Sequence, residues 1–240
     1  MKYLLFTFLI LVFYAMHAQE TKVTWDYPVK PDMEEWMQLK TFEEMYQACQ
    51  IPDEIIKRLD TESLVQICFD FPFFKVLFLY NSLQDGFNSF YKSFNGIHEL
   101  LDRKDAGYFM LKKYASMSVV DFNPLWSLGD QGGYIYKYKY FETLLAQPQV
   151  VESLGRNGRK NLLEESIKKF DMKLSNMDLF GGSSLVMIGW VMARVLHYEN
   201  RLSSIDSPNQ AIESFLASRH LVDYDLMYIY EQSRIYIHEN

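Results

Sequence analysis

Tyr134-Ile135-Tyr136-Lys137-Tyr138-Lys139-Tyr140 is the stretch on which the fold class turns. Read with a period of two, it is a strand with four tyrosines on one face. Read with a period of 3.6, Tyr134, Tyr138, Phe141 and Leu145 fall on one line, and the continuation Glu142-Thr143-Leu144-Leu145-Ala146 is helical up to Pro148. The helix is the better reading, and the rest of the chain agrees with it.

Toward the C-terminus, Gln149 to Leu154 reads as a helix and Gly155-Arg156-Asn157-Gly158 as a turn. Arg159 to Leu174 is an amphipathic helix with Leu162, Leu163, Ile167, Phe170 and Leu174 inward. Ser184 to Tyr198 is apolar nearly all round, the mark of a central buried helix; Ser183 or Ser184 is expected to cap it. Ser207-Pro208-Asn209-Gln210 supplies a cap and a proline for a helix to about Arg219, and Asp223 to Tyr236 makes the last one.

Toward the N-terminus, Ser118 to Gly133 holds Pro124, Gly129, Gly132 and Gly133 and reads as the longest run of turn chemistry, a functional loop or a subdomain seam. Ahead of it come Ala106 to Met117 and Ile97 to Leu101, with Asn95-Gly96 ending the helical stretch before them. Phe73 to Phe94 is a helix or a pair broken near Asp85-Gly86. Asp60 caps a helix to Asp70, Pro52 opens one to Leu59, and Thr41 with Glu44 forms a capping box for one to Cys49. Glu34 to Lys40 is a short helix, and the prolines of Trp25-Asp26-Tyr27-Pro28-Val29-Lys30-Pro31 keep that segment extended. Helices in succession without alternating strands predict an all-α fold: stacked antiparallel helical hairpins, as a bundle or an irregular solenoid-like array.

Lys2, the apolar run Tyr3 to Met16 and the small-residue end at Ala18 read as a signal peptide over residues 1–18. About 14 apolar residues fall short of the roughly 20 that cross a bilayer, so no stable membrane span is expected once the leader is gone. An extended arm over 19–31 and a single helical domain over 32–240, with the seam at 118–133, complete the expected organisation. The formal charge of −7, without a dense basic stripe, argues against nucleic acid as a partner. Cys49 and Cys68 both lie in the exported part, where a disulfide is allowed, yet each also sits on an apolar face beside Phe42 and Met45 or Leu64 and Phe71. Bridge and buried thiols both stay open.

The combination Trp25-x-Tyr27-Pro28-Val29-Lys30-Pro31, Glu34-Glu35-Trp36 and Ala48-Cys49-Gln50-Ile51-Pro52, with the leader end Ala18-Gln19, resembles a set of exported, uncharacterised proteins from gut Bacteroidetes. The likeness extends through Leu144-Leu145-Ala146-Gln147-Pro148 and covers most of the chain. It implies a secreted helical protein, periplasmic or extracellular, and brings no activity with it.

Catalytic constellations are weak. His98-Glu99-Leu100-Leu101-Asp102 resembles the helical zinc-hydrolase pattern with aspartate in place of the second histidine, which removes a ligand; His197 or His220 would have to supply a third, so a solvated helix surface is the expectation. Gly181-Gly182-Ser183-Ser184 lacks the strand and flanking glycines of a nucleophile elbow, and Gly129-Asp130-Gln131-Gly132-Gly133 reads as a turn rather than a phosphate cradle. Arg156, Arg159 and Lys160 form a local basic cluster with the look of a solvated loop. No catalytic residue, metal or cofactor is expected. Trp25, Tyr27, Trp126, Tyr134, Tyr136 and Tyr140 could form aromatic surfaces for a protein or a glycan, because Trp and Tyr join an apolar body to a polar tip. A non-enzymatic binding protein is therefore expected, with a hydrolase acting on glycan or cell-wall material through carboxylates in a groove as the alternative.

Overall fold

Caps set the short helices at the start of the chain. The structure is a computed structural model and describes residues 23–202, 214–217 and 223–239; the leader, residues 19–22 of the arm and the Ser207-Pro208 helix start lie outside the described residues. Helix α1 is Glu34–Gln38 and α2 is Phe42–Ala48. At α2 the Thr41 hydroxyl accepts from the Glu44 amide at 3.2 Å while the Glu44 carboxylate accepts from the Thr41 amide at 2.9 Å, so two orphan donors are satisfied reciprocally. Helix α3, Asp53–Ile56, follows Pro52, and α4, Thr61–Phe69, starts at Asp60, whose carboxylate accepts from the Ser63 amide at 2.6 Å. The arm lies across α4: Tyr27 is buried, and its hydroxyl donates to the Ile67 carbonyl at 2.8 Å.

Three glycine or asparagine signals act differently from the sequence expectation. The 73–94 stretch is broken, but between a 3-10 turn at Phe74–Leu79 and α5, Leu83–Ser93, rather than at Gly86. Gly86 lies inside α5, and the position requires glycine because a β-carbon there would stand 2.1 Å from the Leu77 carbonyl oxygen. Asn95-Gly96 opens α6, Asn95–Asp102, instead of ending a helix; the Asn95 side chain accepts from the Ile51 amide at 3.0 Å and donates to its carbonyl at 2.7 Å. After α7, Ala106–Ser116, and a short turn at Val119–Asp121, helix α8 runs Leu128–Leu145. It contains the whole decisive tyrosine stretch. Gly129 to Gly133 is therefore helical, not a turn, with the Ser127 hydroxyl accepting from the Asp130 amide at 3.2 Å.

Helix α9 is Pro148–Ser153, α10 Arg156–Leu174, α11 Met177–Phe180, α12 Gly182–Tyr198 and α13 Asp223–Glu239. The fold is all-α, with no strand among the described residues. Helix α12 is the buried centre, packing on α8, α9, α10 and α13, with Trp190 donating from its indole nitrogen to the Leu216 carbonyl at 3.1 Å. Neither serine caps it: Gly181 stands at the N-cap, Ser184 donates back to the Phe180 carbonyl at 2.7 Å, and the Ser183 hydroxyl accepts from Lys139 at 2.8 Å. Leu174, expected inward, is exposed. One buried apolar cluster runs from Tyr27 to Tyr236 and includes side chains from both sides of residues 118–133. Among the described residues no helix is long and apolar enough to cross a membrane. Cys49 and Cys68 are separate buried thiols, so the bridge is not formed; burial pushes Cys49 up to about 12 and raises Cys68 too.

Candidate functional site

Residues 118–136 form a lobe whose outer side chains include large apolar ones, Val120, Leu125 and Leu128, among the polar Asp121, Asn123, Ser127 and Asp130. Asn123 accepts from the Leu125 amide at 2.9 Å, and the Gln131 carboxamide donates to the Pro124 and Trp126 carbonyls at 3.1 and 2.8 Å. The Tyr134 hydroxyl donates to the Ser118 carbonyl, tying the loop back to α8. Phe122, Trp126 and Tyr134 make a triangle of rings with centroids 5.6–5.9 Å apart. Outside this support Leu125 is 91% exposed and Val120 and Leu128 are each 86% exposed. Full burial of such a side chain is worth about 1.5–3 kcal/mol, which the isolated chain leaves unrealised at all three. Tyr136, on the adjoining turn of α8, rests edge-on against Phe78 at 5.2 Å and keeps an exposed face.

Of the six aromatic residues singled out by sequence, Trp126, Tyr134 and Tyr136 gather here. Trp25 is half-buried on the arm, edge-on to Tyr27 at 4.7 Å. Tyr27 and Tyr140 are corrections to the expectation, because both are core residues. The Tyr27 hydroxyl is spent on Ile67, and that of Tyr140 donates to the Cys68 carbonyl at 2.6 Å. A buried tyrosine whose polar tip has a backbone partner offers nothing to a ligand. His98 lies 3.6 Å from Asp102, both exposed, and Glu99 is taken by Arg103 at 3.0 Å; no group of three or more His, Cys, Asp or Glu side chains placed to hold a metal occurs among the described residues. In the basic cluster, Arg159 is no solvated side chain: it pairs with Glu199, and its guanidinium lies 4.4 Å from the Tyr198 ring centroid.

A second feature runs along the outer face of α4. Two grooves of about 540 and 460 Å³ share Gln66; Trp25, Lys30 and Asp70 line the first, Phe109, Lys112 and Lys113 the second. Beside them Lys137 of α8 donates to the Phe69 carbonyl, stands 3.7 Å from Asp70, and lies 4.8 Å from the centroids of both the Phe69 and Phe74 rings. Lys113 lies 4.2 Å from the Phe69 ring centroid. Burial lowers the Lys137 ammonium to about 8; Asp70 opposes the shift and Lys113 adds to it. The groove carboxylate of Asp26 is held below its usual range by Lys30, 2.6 Å away.

The third feature is sealed. Glu142 of α8 receives Lys173 of α10 on both carboxylate oxygens at 2.6 Å and the Tyr114 hydroxyl at 2.8 Å, while Lys173 also donates to the Ser184 carbonyl at 3.0 Å. Both side chains are wholly buried. Desolvation raises Glu142 and lowers Lys173, each held back by the other's charge. A carboxyl raised in this way suits general acid work, but no substrate reaches it, and the pair acts as a pin between α8 and α10. The sequence carried its signal: Glu142 is one turn beyond Tyr138, and Lys173 one turn beyond Lys169 and Phe170, opposite charges on inward positions of two helices.

No protein family, curated protein or solved structure matches the chain.

Proposed function

We propose that the chain is an exported, non-enzymatic interaction protein that engages a protein partner through the lobe around Leu125. The observation that supports this reading most is the contrast at the lobe. Three aliphatic side chains stand in water on a loop fixed by its own hydrogen bonds, so little ordering entropy remains to oppose binding. Aliphatic tips on an aromatic base fit an apolar recess in another protein, whereas a sugar would ask for exposed ring faces and paired polar groups. The leader-like start of the sequence and the resemblance to exported proteins support a place beyond the cytoplasm. The hydrolase alternative has less behind it: Asp26 in the groove is held ionised, and the raised Glu142 is out of reach.

Photo-cross-linking from position 125 in the producing cells identifies the partner, and the purified pair is then titrated. The chain with Val120, Leu125 and Leu128 all changed to serine should bind at least about tenfold more weakly, since a central apolar anchor contributes upward of 1 kcal/mol. Equal affinity of the serine variant, or no discrete cross-linked species, overturns the proposal.

A further inference from the structure

We propose that the face built by α1 and α2 is a second docking surface, and that it takes a basic amphipathic segment of a protein partner. The Phe73 ring joins the two helices: Trp36 of α1 stands edge-on to it at 6.0 Å and Phe42 of α2 at 5.3 Å. This cluster is open to water. Phe42 is 49% and Met37 60% exposed, and Trp36 and Phe73 are half-buried. Neither helix is anchored by much else, since α1 has no buried residue and within α2 only Tyr46 is buried.

Charge selects the occupant. From Asp32 to Ala48 the chain carries five carboxylates and one cation, Lys40. Lys40 donates to the Met37 carbonyl at 3.0 Å, and Glu44 is spent on the capping box. Asp32, Glu34, Glu35 and Glu43 are left exposed, without an ion-pair partner among the described residues. The helix dipole favours carboxylates in a first turn wherever they occur, but here Glu35 adjoins Trp36 and Glu43 adjoins Phe42, both in the open cluster. A lysine or arginine lays its aliphatic stem on apolar surface while its head reaches a carboxylate, so one segment carrying apolar and basic residues suits the rings and their acidic neighbours together. Asp32, just ahead of α1, and Pro72, just ahead of Phe73, line the groove of about 540 Å³, where Asp70 offers a further carboxylate to a basic side chain. An acidic partner or an anionic membrane would meet these groups with like charge. Nothing here depends on the lobe, so this inference and the proposed partner binding stand or fall separately.

The test uses the purified exported chain and two labelled amphipathic peptides with one apolar pattern, a leucine–lysine and a leucine–glutamate version, titrated by fluorescence anisotropy. The lysine peptide should bind at least about tenfold more tightly than the glutamate peptide, and less tightly as salt is added. Glu34→Gln, Glu35→Gln and Glu43→Gln together should weaken it about tenfold, the worth of three exposed ion pairs. Glu152→Gln, Asp178→Asn and Glu231→Gln remove as many exposed carboxylates elsewhere and should leave affinity within about twofold. A benzophenone at the centre of the lysine peptide should cross-link to α1, α2 or the residues around Phe73. Equal affinity for the two peptides, an equal loss from the two triple variants, or cross-links elsewhere overturns the inference. So does finding that Phe42→Ser abolishes either binding to phosphatidylserine vesicles or self-association in sedimentation, which would give the face to a membrane or to a second copy of the chain.

Discussion

From Leu128 to Lys137 the side chains of α8 are exposed or half-covered; from Tyr138 to Leu145 all but Lys139 are buried. Both halves are rich in aromatic residues, and neither shows a polar face opposite an apolar one. What separates them is company. The second half is enclosed by α5, α7, α9, α12 and the Phe74–Leu79 turn, while the first shares its apolar groups with the 118–127 loop and, through Tyr136, with Phe78. A helix enclosed on all sides must also settle any charge internally. That is why the second half carries the Glu142–Lys173 pair, whereas the Asp130 carboxylate in the first simply accepts from Ser127 at 2.7 Å in the open.

The comparison breaks most visibly at the buried pair. Lys173→Met leaves a fully buried carboxylate with only the Tyr114 hydroxyl as partner, and should lower the unfolding free energy by about 3–5 kcal/mol in a urea titration. Adding Glu142→Gln should restore part of that loss, because the uncompensated charge goes with it. A single-variant loss below about 1 kcal/mol would mean that water reaches this half of α8.

At the boundary between the halves stands Lys137, and there pH sharpens the contrast. Its ammonium titrates at about 8 in the folded chain against an ordinary 10.5, so well below pH 8 both states are protonated and the folded state bears the full burden of the charge. Between the two values the folded chain has shed a proton that the unfolded chain keeps, and stability from this group rises with pH. The gain is about 1 kcal/mol from pH 8 to 9, read as wild type minus Lys137→Met. Above pH 9 the raised thiols of Cys49 and Cys68 work the other way in both proteins, because the unfolded chain loses those protons first. A difference that stays flat through pH 8–9 would place Lys137 in water with the exposed half.

Features fixed by neighbours three or four residues away were legible in the sequence. The Thr41–Glu44 capping box, Asp60, the start of α3 at Pro52 and the helical reading of residues 134–140 are all local, and the all-α fold follows from them. The misread positions are those whose meaning is set at long range. Gly86 looks like a break until the Leu77 carbonyl is seen against it. Tyr27 and Tyr140 look like surface aromatics until carbonyl partners 40 and 72 residues away take their hydroxyls. Glu142 and Lys173 are 31 residues apart, and only the packing of α8 and α10 on α12 makes them one site. The lobe was half legible: its residues were singled out, but as glycine-rich turn, because local sequence could not show that Ser127 would start the helix so early.

The smallest effect is expected where the apolar character is greatest. Leu125→Ser should change the unfolding free energy by no more than about 0.5 kcal/mol, because a side chain already 91% exposed has no burial to lose. Leu144→Ser, on the enclosed half of α8, gives up a fully buried leucine and adds an unpaired hydroxyl, and should cost several times more by the same urea measurement. The pair of variants isolates the physical point, since residue type and substitution are identical and only the surroundings differ. If Leu125→Ser alone lost more than about 1 kcal/mol, the side chain would be packed in the isolated chain, and the surface offered to a partner would be part of the core instead.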